Sequence, residues 1–193
     1  MLIYLHGFNS TPSSNKATAL HEHMRQRGIA GQFTCPALPH RPAAAIAIIE
    51  EEIHRHPLPS VTLVGSSLGG FYATYLAEKL RLRAILLNPA VYPHRDLTRY
   101  LGPQRNLYSG EAYELTEQHV RELAALWTEP ISPERYFLIV ETGDEVLDYR
   151  EAVARYAGAK QMVVEGGDHT LKCFASQLPE ILEFGGWSTP IQT

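Results

Sequence analysis

Cysteine is scarce in this chain. Only Cys35 and Cys173 occur among 193 residues, far apart and with no Cys-x-x-Cys pair. That excludes a disulfide framework and a cysteine-based zinc module, and leaves two reduced thiols packed in or near a core. An excess of positive charge is also missing: 17 Lys+Arg stand against 21 Asp+Glu, a formal net charge of −4. Neither nucleic acid nor an anionic membrane is therefore an expected partner. No apolar run approaches the ~20 residues needed to cross a bilayer, so no membrane span is expected. Met1 to Leu5 runs straight into His6-Gly7, with no basic region and no small-residue cleavage site, and the expected compartment is cytoplasmic. The stretch "HEHMR" lacks the second histidine one turn on that a zinc helix needs. No Gly-x-Gly-x-x-Gly follows a strand and no lysine follows a phosphate-binding glycine loop. No cofactor and no metal are expected. Internal repeats and low-complexity tracts are absent as well.

What is present is an ordinary globular composition, 45% hydrophobic and 20% charged, long enough for one domain over residues 1–193. Continuous apolar runs alternate with amphipathic stretches. Strands are expected at Leu2–Leu5, Gln32–Cys35, Val61–Val64, Ala84–Leu87, Tyr136–Val140 and Met162–Val164. Helices are expected from Ser14 to about Arg27, Pro42–His56, Phe71–Leu80, Tyr149–Tyr156, and Phe174–Phe184 with an interruption or kink near Pro179. Unbroken apolar strands separated by helices argue for an α/β fold: a mostly parallel central sheet with helices on both faces. Between about residues 91 and 133 the rhythm stops. No strand is expected there, tyrosines are frequent, and one helix runs Thr116–Trp127, so this segment reads as a small cap inserted over the ligand crevice. Ser188–Thr193 reads as a loose tail.

The stretch "VTLVGSSLGGFYATYLAEKL" carries the chemistry. Strand, Gly-x-Ser-x-Gly, helix is the context of a nucleophile elbow, with Ser67 as nucleophile and Gly65 and Gly69 allowing strand and helix to close on each other. A serine hydroxyl needs a base, and in elbow order the acid comes next and the histidine last. His169 lies in "VVEGGDHTL", beyond the final strand and a Gly-Gly hinge. Other histidines compete poorly: His6 precedes the elbow, His21 and His23 sit within a polar helix, and His54 and His56 lie at a helix end. "VETGDEVLDY" offers the acid: Asp144, in the turn after its strand, is the choice, and Asp148 stands second because it is also placed to cap the next helix. "YLHGFNS" follows the first strand, where a hydrolase presents a backbone donor. The Phe8 and Leu68 N–H groups are the expected oxyanion donors, and His6 is expected to brace the loop. The base must be neutral, so activity is expected to fall in mild acid.

The segments "YLHGFNSTPSSNKA", "GSSLGGFYATYLAEK", "LLNPAVYP", "TGDEVLDYREAV" and "GGDHTL" together resemble the small YqiA-type esterase family of the α/β-hydrolase superfamily, from Tyr4 to about Phe184. The resemblance implies a three-layer α/β-hydrolase fold and a triad of Ser67, Asp144 and His169. It also implies hydrolysis of carboxylic esters, with acyl thioesters such as acyl-CoA as further candidate substrates. Leu171, where that family is expected to carry an aromatic, and Cys173 are departures that bear on the shape of the acyl pocket. Arg95, Arg99 and Arg105 in the inserted segment are candidates to hold an anionic group such as a CoA phosphate. The rival reading is a hydrolase fold kept as a binding or regulatory module without turnover.

Overall fold

The architecture follows from which runs must bury both of their faces. In the computed structural model, which describes residues 1–106 and 108–187, the strands β1 (Leu2–Leu5), β2 (Phe33–Thr34), β3 (Thr62–Ser66) and β4 (Arg83–Leu87) come first. The hairpin strands β5 (Gly102–Arg105) and β6 (Ala112–Leu115) follow, then β7 (Tyr136–Glu141) and β8 (Lys160–Val164). Six of these form one sheet in the order β2-β1-β3-β4-β7-β8, and every pairing in it is parallel. The helices are α1 (Asn15–Gln26), α2 (Pro42–His54), α3 (Leu68–Leu80), α4 (Pro93–Asp96), α5 (Glu117–Ala125), α6 (Tyr149–Arg155) and α7 (Phe174–Gly185).

Side chains along a strand point alternately to its two faces, and the two cores divide on that alternation. Ile3, Leu63, Ala84, Leu86 and Leu138 pack with residues of α2, α3 and α6. Leu2, Val64, Ile85, Leu87 and Phe137 pack with residues of α1 and α7. This three-layer arrangement is the expected α/β fold class. No helix among the described residues is long and apolar enough to cross a membrane.

Two expectations fail. The segment between β4 and β7 does contain strands: β5 and β6 pair antiparallel, Gly102 opposite Leu115. Neither shows an apolar run, because the ribbon is half exposed and only Leu115 is fully buried. α7 is continuous through Pro179 rather than interrupted. Pro179 and Ala175, one turn before it, are both exposed, so water can serve the carbonyl that the proline leaves without an N–H. Element ends otherwise differ from expectation by a few residues, as terminal turns do. Ser188–Thr193 lie outside the described residues.

Candidate active site

The site is built where β3 gives way to α3. Ser67 stands between them with φ 54° and ψ −120°, a conformation that costs a residue with a Cβ about 1–3 kcal/mol. Its own backbone holds it there: the N–H donates to the Leu87 carbonyl at 3.1 Å, and its carbonyl accepts from Gly70 at 2.9 Å and Ala90 at 3.0 Å. The turn also needs space. A Cβ on Gly65 would lie 2.3 Å from the Gly69 carbonyl oxygen, and one on Gly69 would lie 2.0 Å from the Leu5 carbonyl oxygen. Both obstacles are backbone, so no rotamer relieves them. Gly69→Ala is expected to lose at least about 3 kcal/mol, the upper end of overpacking costs. Urea unfolding within about 1 kcal/mol of wild type would refute that close approach.

Side chains remote in sequence converge on this turn. The His169 imidazole places Nε2 3.2 Å from Ser67 Oγ, and Nδ1 2.8 Å from Asp144 Oδ2 and 3.0 Å from Oδ1. The Asp144 side chain is 2% exposed, and its Oδ1 also accepts the N–H groups of Val146 and Leu147, each at 2.9 Å. Asp148 is elsewhere: it caps α6, accepting from the Arg150 N–H at 3.0 Å. Asp168 turns away from its neighbour toward the Thr170 N–H at 2.9 Å and the Lys172 ammonium at 3.0 Å. The Thr170 hydroxyl, with Lys172 beside it, pulls the Asp168 carboxyl down to about 2.

Glu141 is the residue whose part sequence reasoning missed. It ends β7 with 1% of its surface exposed, and its carboxylate accepts from the backbone N–H groups of Asp168 (2.8 Å), Lys172 (3.0 Å) and Cys173 (2.7 Å). Asn88 supports the same loop. Its Oδ1 accepts from the Glu141 N–H at 3.0 Å, while Nδ2 donates to the carbonyls of Asp168 at 3.1 Å and His169 at 3.4 Å. Burial by itself would raise the Glu141 pKa, but the N–H donors of Cys173, Asp168 and Lys172 together outweigh it and hold the carboxyl below its ordinary value. A depressed folded value means stability that is present above the ordinary carboxylate range and is lost as pH falls through the folded value. Glu141→Gln is expected to cost about 2–3 kcal/mol at neutral pH, with the gap to wild type closing in acid. Chemical unfolding across pH checks this, and a gap constant down to pH ~3 would contradict it.

The loop after β1 lies against the turn: a Cβ on Gly7 would sit 3.1 Å from Ser67 Cβ. Among the described residues, neither the Phe8 nor the Leu68 N–H donates to an acceptor, and both residues line a cavity with Ser67 and His169. His6 braces this loop, accepting the Leu38 N–H on Nε2 at 3.1 Å with Nδ1 3.1 Å from the Gly7 carbonyl. Burial lowers its pKa, which suits a neutral ring that accepts on Nε2. The β5–β6 ribbon packs on the same loop through the Tyr113 hydroxyl to Asn9 Oδ1 at 2.7 Å and Asn106 Nδ2 to the Ser10 carbonyl at 3.0 Å. Leu171 is 1% exposed and packs in the core beneath α1 and α7. Among the described residues there is no group of three or more His, Cys, Asp or Glu side chains placed to hold a metal ion.

The family described as "Uncharacterised protein family (UPF0227)" has a model that matches residues 1–186. The chain belongs to this family. It is the family that the sequence segments resemble, and this chain shares its fold with solved α/β hydrolases. Alpha/beta hydrolase domain-containing protein 10 from mouse is 16% identical with a TM-score of 0.74, covering 94% of this chain and 87% of that one. Est1E from Butyrivibrio proteoclasticus is 17% identical with a TM-score of 0.69, covering 95% and 85%. The monoacylglycerol lipase of Paleococcus ferrophilus is 16% identical with a TM-score of 0.66, covering 97% and 94%.

Proposed function

We propose that this UPF0227 member is a serine hydrolase of carboxylic esters that works through an acyl-enzyme. The observation that carries the reading is the unbroken chain from Ser67 Oγ through the His169 ring to the Asp144 carboxylate. Ser67 Oγ attacks the ester carbonyl carbon as His169 Nε2 takes its proton, and Asp144 steadies the imidazolium from the Nδ1 side. The Phe8 and Leu68 N–H groups face the oxygen that becomes negative. The alcohol leaves with the proton from Nε2. Water, deprotonated by the same nitrogen, then releases the acid and restores the serine. Relatives in fold that bear lipase names support the reaction class, and no metal or cofactor is needed for any step.

The segment from 91 to 133 acts as a cap in this reading. Ala90, Pro93, Leu97 and Tyr100, with Val146 and Leu147 opposite, line a cavity of about 330 Å³ that opens on Ser67 and His169, an apolar place for an acyl chain. Nothing in the attack requires an oxygen leaving group, so thioesters remain substrates to assay. Arg95 does not suit a CoA phosphate, because its guanidinium is bound to both Glu151 oxygens at 2.8 Å and to Asp96 at 2.7 Å. The test is a fluorophosphonate label, with the modified peptide located by mass spectrometry, beside a panel of p-nitrophenyl esters, acyl-CoAs and peptide amides. Labelling at Ser67 with ester turnover is the expected result. An unlabelled serine and no turnover would return the fold to a binding role.

A further inference from the structure

A second cavity, of about 210 Å³, meets Ser67 and His169 from the α1 side. Its lining is the more polar: Ser10, Lys16, Tyr108 and Thr170 line it beside the Asn9 that both cavities share, and among the described residues no carboxylate side chain does, whereas the first cavity includes Asp96 together with Arg99. Among the described residues that line it, Lys16 is the one fixed positive charge. Among the described residues its ammonium donates only to the Thr170 carbonyl, at 3.0 Å. Burial lowers its pKa, and the carboxylates of Asp168, Asp144 and Glu141 pull the other way from farther off. Those carboxylates are occupied already: Asp168 pairs with Lys172, Asp144 with His169, and Glu141 takes loop N–H groups. A partly desolvated ammonium with one neutral acceptor has donors to spare, and an anion arriving there gains more than it would in bulk water.

We infer that this cavity is the leaving-group subsite, and that it takes a small alcohol or thiol bearing an oxyanion, phosphate or carboxylate, which Lys16 binds. The inference rests on the ester-hydrolase reading and names the substrate class of that same site. The geometry divides a substrate in two. The apolar cavity receives the acyl chain, the carbonyl lies at Ser67, and the departing group lies on the Lys16 side. At about 210 Å³ the space is below the ~300–1,000 Å³ of drug-sized ligand pockets, so the oxyanion belongs to a compact group.

Lys16 also touches the carbonyl next to His169, so a fall in activity alone would not separate binding from loop support. The discriminating quantity is a ratio. Two matched pairs serve: p-nitrophenyl butyrate against the butyrate ester of a nitro-hydroxybenzoic acid, which adds a ring carboxylate, and monobutyrylglycerol against butyryl glycerol phosphate. The wild-type protein is expected to prefer the charged member of at least one pair, and which pair responds tells carboxylate from phosphate. In Lys16→Met that preference in kcat/KM should fall roughly ten- to hundredfold, the worth of a charge-assisted hydrogen bond. Lys16→Arg should keep most of it. Lys160→Met removes the same charge from a residue that pairs with Glu180 outside the cavity and should change the ratio less than about threefold, as screened surface charges do. Equal losses on charged and neutral esters in Lys16→Met would overturn the inference, as would no wild-type preference or an equal effect of Lys160→Met. If wild type cleaves none of the four esters, the hydrolase reading fails by itself. Calorimetric titration of glycerol phosphate into wild type and Lys16→Met then decides the cavity: heat from wild type alone supports it, and equal heat or none overturns it.

Discussion

Ser67→Ala is expected to lower kcat on a p-nitrophenyl ester by about 10⁴- to 10⁶-fold, the range seen when a triad member is deleted and only binding and oxyanion donors remain. The loss should fall on chemistry. Residue 67 is held at φ 54° by backbone hydrogen bonds to Leu87, Gly70 and Ala90, and alanine meets the same strain as serine, so thermal unfolding should shift by only a few degrees. The neighbouring hydroxyl is no substitute. Ser66 ends β3 and is buried, whereas Ser67 Oγ lies 3.2 Å from His169 Nε2. Ser66→Ala is therefore the control, expected within about threefold of wild type by comparison with mutations that touch no reacting group. Deleting His169 as well should add little to the Ser67→Ala loss, because the two act as a unit. Residual turnover in Ser67→Ala above about one-hundredth of wild type, far beyond what deletion of such a hydroxyl leaves, would mean that another group attacks the carbonyl.

How much of this was legible in the sequence depends on how local each interaction is. The central strands were readable because parallel strands covered on both faces must be apolar throughout, and β1, β3 and β7 are buried along their whole lengths. The elbow was readable because its space requirement falls on Gly65 and Gly69, two residues to either side of Ser67. The β5–β6 ribbon was not, since a half-exposed two-stranded hairpin imposes no apolar run; its Gly102 at φ 111° is a signal only once the strand is known. Glu141 and Asn88 were opaque for a different reason. Their partners in the loop stand 27 to 32 and 80 to 81 residues away in the chain, and no spacing rule connects a carboxylate at a strand end with the N–H groups of a loop that far on.

Those two residues complete the account of how an imidazole on a loop is held in place. Two of the loop's glycines have positive φ, Gly166 and Gly167, and a chain so permissive would sample many positions if left free. The Glu141 carboxylate draws three N–H groups of residues 168 to 173 inward, and Asn88 takes the carbonyls on either side of the His169 nitrogen. The Glu145 carboxylate accepts the His169 N–H at 3.0 Å. Reactivity depends on sub-ångström placement, so the buried polar group at the end of β7 serves the ring as much as it serves the fold.

Asp144→Asn tests the last link in that chain, and its expected cost is about 10⁴-fold in kcat, the size seen when the equivalent link is broken in a Ser-His-Asp enzyme. The substitution is unusually clean. The Val146 and Leu147 N–H groups both bond Oδ1, so an asparagine keeps its oxygen there and preserves the turn. Its NH₂ then takes the place of Oδ2, 2.8 Å from His169 Nδ1. A donor at that nearer position, with Oδ1 at 3.0 Å already taken by two N–H groups, favours an accepting Nδ1 and a ring proton on Nε2, and a protonated Nε2 cannot take the proton of Ser67. Fold and backbone stay, and the base is lost. Asp148→Asn supplies the contrast: asparagine caps a helix about as well as aspartate, and Asp148 bonds Arg150 at the head of α6, so activity within about threefold of wild type is expected of a residue outside the reacting chain. Asp148→Ala should cost about 1 kcal/mol of stability through the lost cap with kcat little changed. If Asp144→Asn kept more than about a tenth of wild-type kcat, far above the residue of a broken triad, or if Asp148→Asn lost as much as Asp144→Asn, the carboxylate that orients the ring would not be the one 2.8 Å from it.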